Sequence, residues 1–119
     1  MPSELTKHVF AVVDARDAAP FSRLFAPDGR MIFGNAEPQV GPAAIEAGLS
    51  DFYGTIKELH HTLVNEWVVG PDTICELSVR YVRLDSKTVT IPAVTTWHLD
   101  DHARIDSYRV FIDLTPVFA

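Results

Sequence analysis

The stretch Ser78-Val-Arg-Tyr-Val-Arg-Leu-Asp-Ser-Lys-Thr-Val-Thr-Ile-Pro-Ala-Val-Thr-Thr-Trp97 decides the fold. Two β-rich runs flank a polar tip at Asp85-Ser86, the pattern of a long antiparallel hairpin. Symmetric pairing about a two-residue tip sets Arg80 opposite Ile91, Ser78 opposite Ala93 and Glu76 opposite Thr95. On that register Arg80, Ser78 and Glu76 share a face with Val89, Ile91 and Trp97. Polar groups interleaved with apolar ones on a covered face suggest a binding cavity. Pro92 tests the register: it has no N–H to donate, and a bulge beside it would invert the facing on one side.

Outward from the hairpin, the chain punctuates itself clearly. Before it, the period from His60 onward is two, with His61, Leu63, Asn65 and Trp67 on one side, until Gly70-Pro71-Asp72 ends the strand. After it, Asp100-Asp101-His102-Ala103 turns the chain into a last strand, Arg104 to Leu114, whose expected register pairs Thr95 with Tyr108, Ala93 with Val110 and Ile91 with Ile112. The N-terminal half reads as helices. Ser3 caps a first one with Leu5, Val9, Val12 and Val13 at helical spacing. Asp17 opens a second, stopped by Pro27-Asp-Gly29. After a short strand, Arg30 to Phe33, Gly41-Pro42 opens a third with Ile45, Leu49, Phe52 and Ile56 repeating. The order predicts one α+β domain over residues 1–119, a curved antiparallel sheet packed on three N-terminal helices. The opposite sheet face would carry Leu77, Val79, Tyr81, Val94, Ile105 and Phe111, and covering it predicts a homodimer packed sheet against sheet.

Bulk properties narrow the function. With 119 residues the chain can bury roughly two thirds of its unfolded surface without metals or disulfides. A net charge of -6, from 16 acidic against 10 basic residues with no basic cluster, argues against nucleic acid and anionic membranes as partners. One cysteine, Cys75, and no leader-like N-terminus suggest a reducing, cytoplasmic setting. No metal-ligand spacing, glycine-rich phosphate loop or nucleophile elbow occurs, so no cofactor is expected.

Leu24-Phe-Ala-Pro-Asp-Gly before a strand, Val40-Gly-Pro-Ala-Ala-Ile at the third helix and Ile105-Asp-Ser-Tyr-Arg-Val-Phe-Ile-Asp near the end resemble the SnoaL-like branch of the nuclear transport factor two-like superfamily. The resemblance spans nearly the whole chain. It implies a cone-shaped half-barrel around a hydrophobic pocket, often dimeric through the sheet, in a group that includes ketosteroid isomerases, epoxide hydrolases, dehydratases, polyketide cyclases and non-catalytic binders. The isomerases' base aspartate falls on Phe33, their oxyanion-binding tyrosine near Val9, and their second acid at Val94 or Thr95. The last aspartate of the epoxide-hydrolase relay and the cyclases' acid/base aspartate both fall on Val110. What the resemblance implies is therefore the container, with other polar groups inside it.

Among those groups, Arg80 either holds a ligand oxygen with its fixed fork of donors or pairs with Glu76. His61 is the candidate acid or base near neutral pH, or a satisfied core histidine. Tyr108 and Asn65 offer hydrogen-bonding tips to orient an oxygen, and Glu76 and Ser78 add polarity beside Arg80. Phe33, Trp97 and Ile112 would form apolar walls, and Tyr53 the entrance. Two readings stay open: a cofactor-independent enzyme moving protons on an apolar, oxygenated substrate, or a binding domain for a small hydrophobic ligand or a protein partner.

Overall fold

The computed structural model describes residues 3–119. Helix α1 (Glu4–Asp14) starts where expected: the Ser3 hydroxyl accepts the Thr6 N–H at 3.1 Å, and the Glu66 carboxylate accepts the Ser3 N–H at 3.2 Å. Its buried residues, Thr6, Val9, Phe10 and Val13, fall at i, i+3, i+4 and i+7, one stripe of a 3.6-residue helix. Helix α2 (Ala18–Ser22) leads into strand β1 (Phe25–Phe33) and the two-residue β2 (Gln39–Val40). Helix α3 (Pro42–Tyr53) begins with Gly41 at φ 90° and Pro42 in its first turn, and buries Ile45, Leu49 and Tyr53. Strands β3 (Ile56–Val69), β4 (Asp72–Arg83), β5 (Thr88–Leu99) and β6 (Ile105–Ile112) follow, then the terminal turn α4 (Thr115–Phe118).

The result is an α+β fold with a curved, unclosed six-stranded sheet in the order β2-β1-β6-β5-β4-β3, helices against its concave face. All neighbours are antiparallel except β1 and β6. Val9, Phe21 and Ile45 from the helices meet Leu77, Val79, Ala93 and Tyr108 from the sheet in one core. Each of the valine, leucine, isoleucine and phenylalanine side chains among them contributes on the order of 1.5–3 kcal/mol by leaving water.

Strand β4 faces the other way from its expected orientation. The β4–β5 turn has three residues rather than two: Arg83 N–H donates to Lys87 O at 2.8 Å, Ser86 N–H to Arg83 O at 2.9 Å, and Ser86 takes φ 71°. That extra residue pairs Arg80 with Thr90, Ser78 with Pro92 and Glu76 with Val94, and a one-residue shift exchanges faces. Cys75, Leu77, Val79 and Tyr81 therefore point into the core, and Arg80, Ser78 and Glu76 point out. The β5–β6 register differs from expectation by two, with Trp97 opposite Tyr108 and Ala93 opposite Ile112, a slip that preserves facing. A bulge between Leu63 and Asn65 turns Asn65 and Trp67 outward and brings Glu66 in beside Cys75. The outer face thus lacks Leu77, Val79, Tyr81 and Ile105, which are buried, and keeps Phe111 and Val94 with Trp67 and Ile74.

Pro92 needs no bulge. Hydrogen bonding at Arg83–Lys87 makes every second pair along the hairpin a bonded one, so the Pro92 nitrogen faces β6. Strand β6 ends opposite Ala93, where no neighbour requires the missing N–H. Ser86 in the left-handed region is a local cost, since Cβ crowds the carbonyl there. Ser86→Gly is expected to raise stability by about 0.5–1 kcal/mol, read as a higher urea midpoint at unchanged slope.

Candidate functional site

The polar end of the concave face is built by the last residue of α1 and the first half of β3. Asp14 Oδ1 lies 2.6 Å from His61 Nδ1, and both Asp14 oxygens accept the His61 backbone N–H at 3.1 Å. The exposed His60 ring approaches the same carboxylate at 3.4 Å. A carboxylate accepts only, so Nδ1 of His61 carries a proton, and the neutral form of the ring has its lone pair on Nε2. The ring is held flat against Phe10, centroids 5.0 Å apart, and its side chain is only 11% exposed. Three hydroxyls share the chamber: Tyr53 from α3, Tyr81 from β4 and Tyr108 from β6. Burial raises all three above the ordinary tyrosine range, assisted at Tyr53 by the Asp14 and Asp17 charges and at Tyr81 by Tyr53 and Asp14. Each stays a neutral donor through the physiological range. The Tyr53 hydroxyl is buried with no hydrogen-bond partner among the described residues.

Around these groups the inner chamber is small, about 30 Å³, room for one water. A larger open vestibule of about 610 Å³ lies outside it, between α3, the Gly34–Gln39 segment and the chain after β6. Met31, Phe33, Leu49, Phe52 and Ile112 line both spaces. The rings of Phe33 and Phe52, 4.9 Å apart and only partly buried, form the wall between them.

His61, Tyr108, Tyr53, Phe33 and Ile112 thus all line the one inner chamber. Trp97 stands one layer back, stacked on Tyr108 at 5.8 Å and outside the cavity lining. Arg80 lies exposed on the convex face, so it cannot hold a guest inside; the three-residue turn put it there. Ser78 is on the same face, and Asn65 donates to Glu76 Oε1 at 2.8 Å in an exposed pair across β3 and β4. Sequence reasoning missed Asp14 and Tyr81. Asp14 offered one signal, a carboxylate ending an amphipathic helix after Val12-Val13; Tyr81 was hidden by the inverted register.

The fold recurs among solved structures. No curated protein matches the chain. Among solved structures it is similar to a Catenulispora acidiphila protein with a ketosteroid isomerase-like fold crystallised with trimethylamine, at 17% identity over 98% of this chain and 91% of that one, TM-score 0.89. A candidate SnoaL-like polyketide cyclase from Jannaschia sp. aligns at 20% identity over 99% and 94% of the two chains, TM-score 0.77. The epoxide hydrolase/cyclase-like enzyme SalBIII, with a role in pyran ring formation in the polyether salinomycin, aligns at 19% identity over 94% and 90%, TM-score 0.79. These likenesses establish the fold, and the SnoaL-like domain model matches residues 6–108, so the chain belongs to the SnoaL-like domain family.

Proposed function

We propose that this chain is a cofactor-independent enzyme moving a proton on an apolar, oxygenated substrate, in the manner of an isomerase, dehydratase or cyclase. The observation that carries the reading is the Asp14–His61 contact at 2.6 Å on the wall of an apolar chamber, with the unpartnered Tyr53 hydroxyl in the same chamber. His61 Nε2 takes a proton from the carbon beside a carbonyl; the C–H electron pair forms the C=C bond of an enolate as the carbonyl π pair moves onto oxygen. Tyr53 O–H donates to that oxygen, and the imidazolium returns its proton to carbon. Asp14 stabilises the imidazolium and fixes the ring. The body of the substrate occupies the vestibule; rotation of Phe33 and Phe52, which line both spaces, joins the one-water chamber to the vestibule and makes room for the oxygenated end.

The test uses 2-tetralone in D₂O, following deuterium incorporation beside the carbonyl by NMR. The protein is expected to accelerate exchange well above the buffer rate. Binding of 2-tetralone with no acceleration would overturn catalysis and leave a hydrophobic binding module.

The reading includes a second copy on the convex face, where Trp67, Ile74 and Phe111 are 38–49% exposed. Arg80, Arg109 and Glu76 on the same face carry both signs of charge, which suits a surface meeting itself about a twofold axis. Trp67→Lys is expected to convert dimer to monomer in light scattering; an unchanged mass, or a monomeric parent, would remove this part.

A further inference from the structure

We infer that Gln39 is the specificity residue of the vestibule, selecting flat apolar guests that carry a hydrogen-bond donor such as a phenolic or alcoholic hydroxyl. This rests on the reading of the cavity as a ligand site. Gln39 stands opposite Met31 in the β1–β2 ladder, and both line the vestibule. Its carbonyl oxygen, Oε1, is buried with no partner among the described residues. Leaving an acceptor dry and unpaired is unfavourable, and a guest hydroxyl removes that penalty while an ether oxygen cannot.

A glycine makes the arrangement possible. Gly48 sits in the middle of α3, where glycine weakens a helix, and a Cβ there would collide with the Gln39 amide. The bare backbone at 48 is the space in which the amide lies. The nearby Phe33, Leu49, Phe52 and Phe118 are all apolar and supply flat contact area. The vestibule therefore combines an aromatic floor with a buried, unpartnered acceptor in Gln39, alongside the polar side chains of Asn35, Asp113 and Thr115, whereas the inner chamber presents the Tyr53 donor. The fitting guest has a hydroxyl at its outer end and a carbonyl or ether oxygen at its inner end.

Calorimetric titration with 2-naphthol, 2-methoxynaphthalene and naphthalene tests this. The parent protein is expected to bind 2-naphthol about tenfold more tightly than the methyl ether. Gln39→Met removes the acceptor at similar size and is expected to bring the ratio to about one. Gly48→Ala displaces the amide while leaving Gln39 chemically intact, gains helix propensity, and is expected to do the same. If all three compounds bind and the ratio is unchanged in both variants, the role of Gln39 is overturned and the cavity reading stands. If none of the three binds the parent protein, the cavity reading fails and this inference with it.

Discussion

His61→Gln is expected to lower the rate of deuterium incorporation into 2-tetralone by about two to four orders of magnitude, the usual contribution of a positioned base. Asp14→Asn is expected to cost at least about a hundredfold, for a different reason. The asparagine oxygen can still accept the His61 backbone N–H, now made by Asp14 at 3.1 Å, so the strand stays anchored. Its NH₂ group, however, would donate to Nδ1 and drive the proton to Nε2, which removes the lone pair facing the substrate. Loss of activity with stability held within about 1 kcal/mol separates this tautomer effect from unfolding. Tyr53→Phe supplies the complementary signature: about a hundredfold slower exchange with no loss in melting temperature, because the deleted hydroxyl has no partner among the described residues. Unchanged exchange in all three variants would dismiss the dyad.

How much of this could be read beforehand depends on the range of the interactions involved. Ser3 capping α1 and Gly41-Pro42 opening α3 are local signals, and both elements start where they predict. The facing of β5 and β6 was also legible, because Ile91, Ala93, Trp97 and Val110 are apolar at every second position and a two-residue slip leaves them inside. In β4, orientation hung on one residue in a turn. The deciding energy was in view: the two-residue turn leaves Leu77, Val79 and Tyr81 outside, and burying each is worth about 1.5–3 kcal/mol, more than the roughly 1–2 kcal/mol cost of one serine in the left-handed region. The longer turn folds those three side chains inward without any partner subunit. The site itself was half legible. His61 stands out by residue type, but Asp14 is 47 positions away and meets it only through packing of α1 on the sheet edge.

Above pH 10 the protein is expected to lose stability steeply and unfold by about pH 11–12. The chain has three tyrosines, and all three are buried in the site with their hydroxyls pushed upward from 10.0 by desolvation. Cys75, buried opposite Thr95, is raised from 9.0 to about 12, by desolvation first and then by the Glu66 carboxylate. For an acid whose folded value is raised, the stabilisation is fully present below the unfolded value and vanishes as pH climbs through the folded one. The unfolded chain releases its protons from pH 9–10 upward while the folded chain retains them, so stability falls with rising pH. Each group contributes about 1.4 kcal/mol per pH unit, and four together roughly 5 kcal/mol per unit. A domain of ordinary stability, about 5–15 kcal/mol, is exhausted within one to three such units. Urea denaturation from pH 8 to 11.5 measures the slope, and tyrosinate absorbance identifies its source. Because no tyrosine lies on the surface, the absorbance must rise together with loss of far-ultraviolet circular dichroism. Tyr108→Phe is expected to remove about a quarter of the slope. Tyrosinate appearing in the still-folded protein near pH 10 would mean that the chamber admits water freely to its hydroxyls, and the dry, neutral donor required of Tyr53 would be gone.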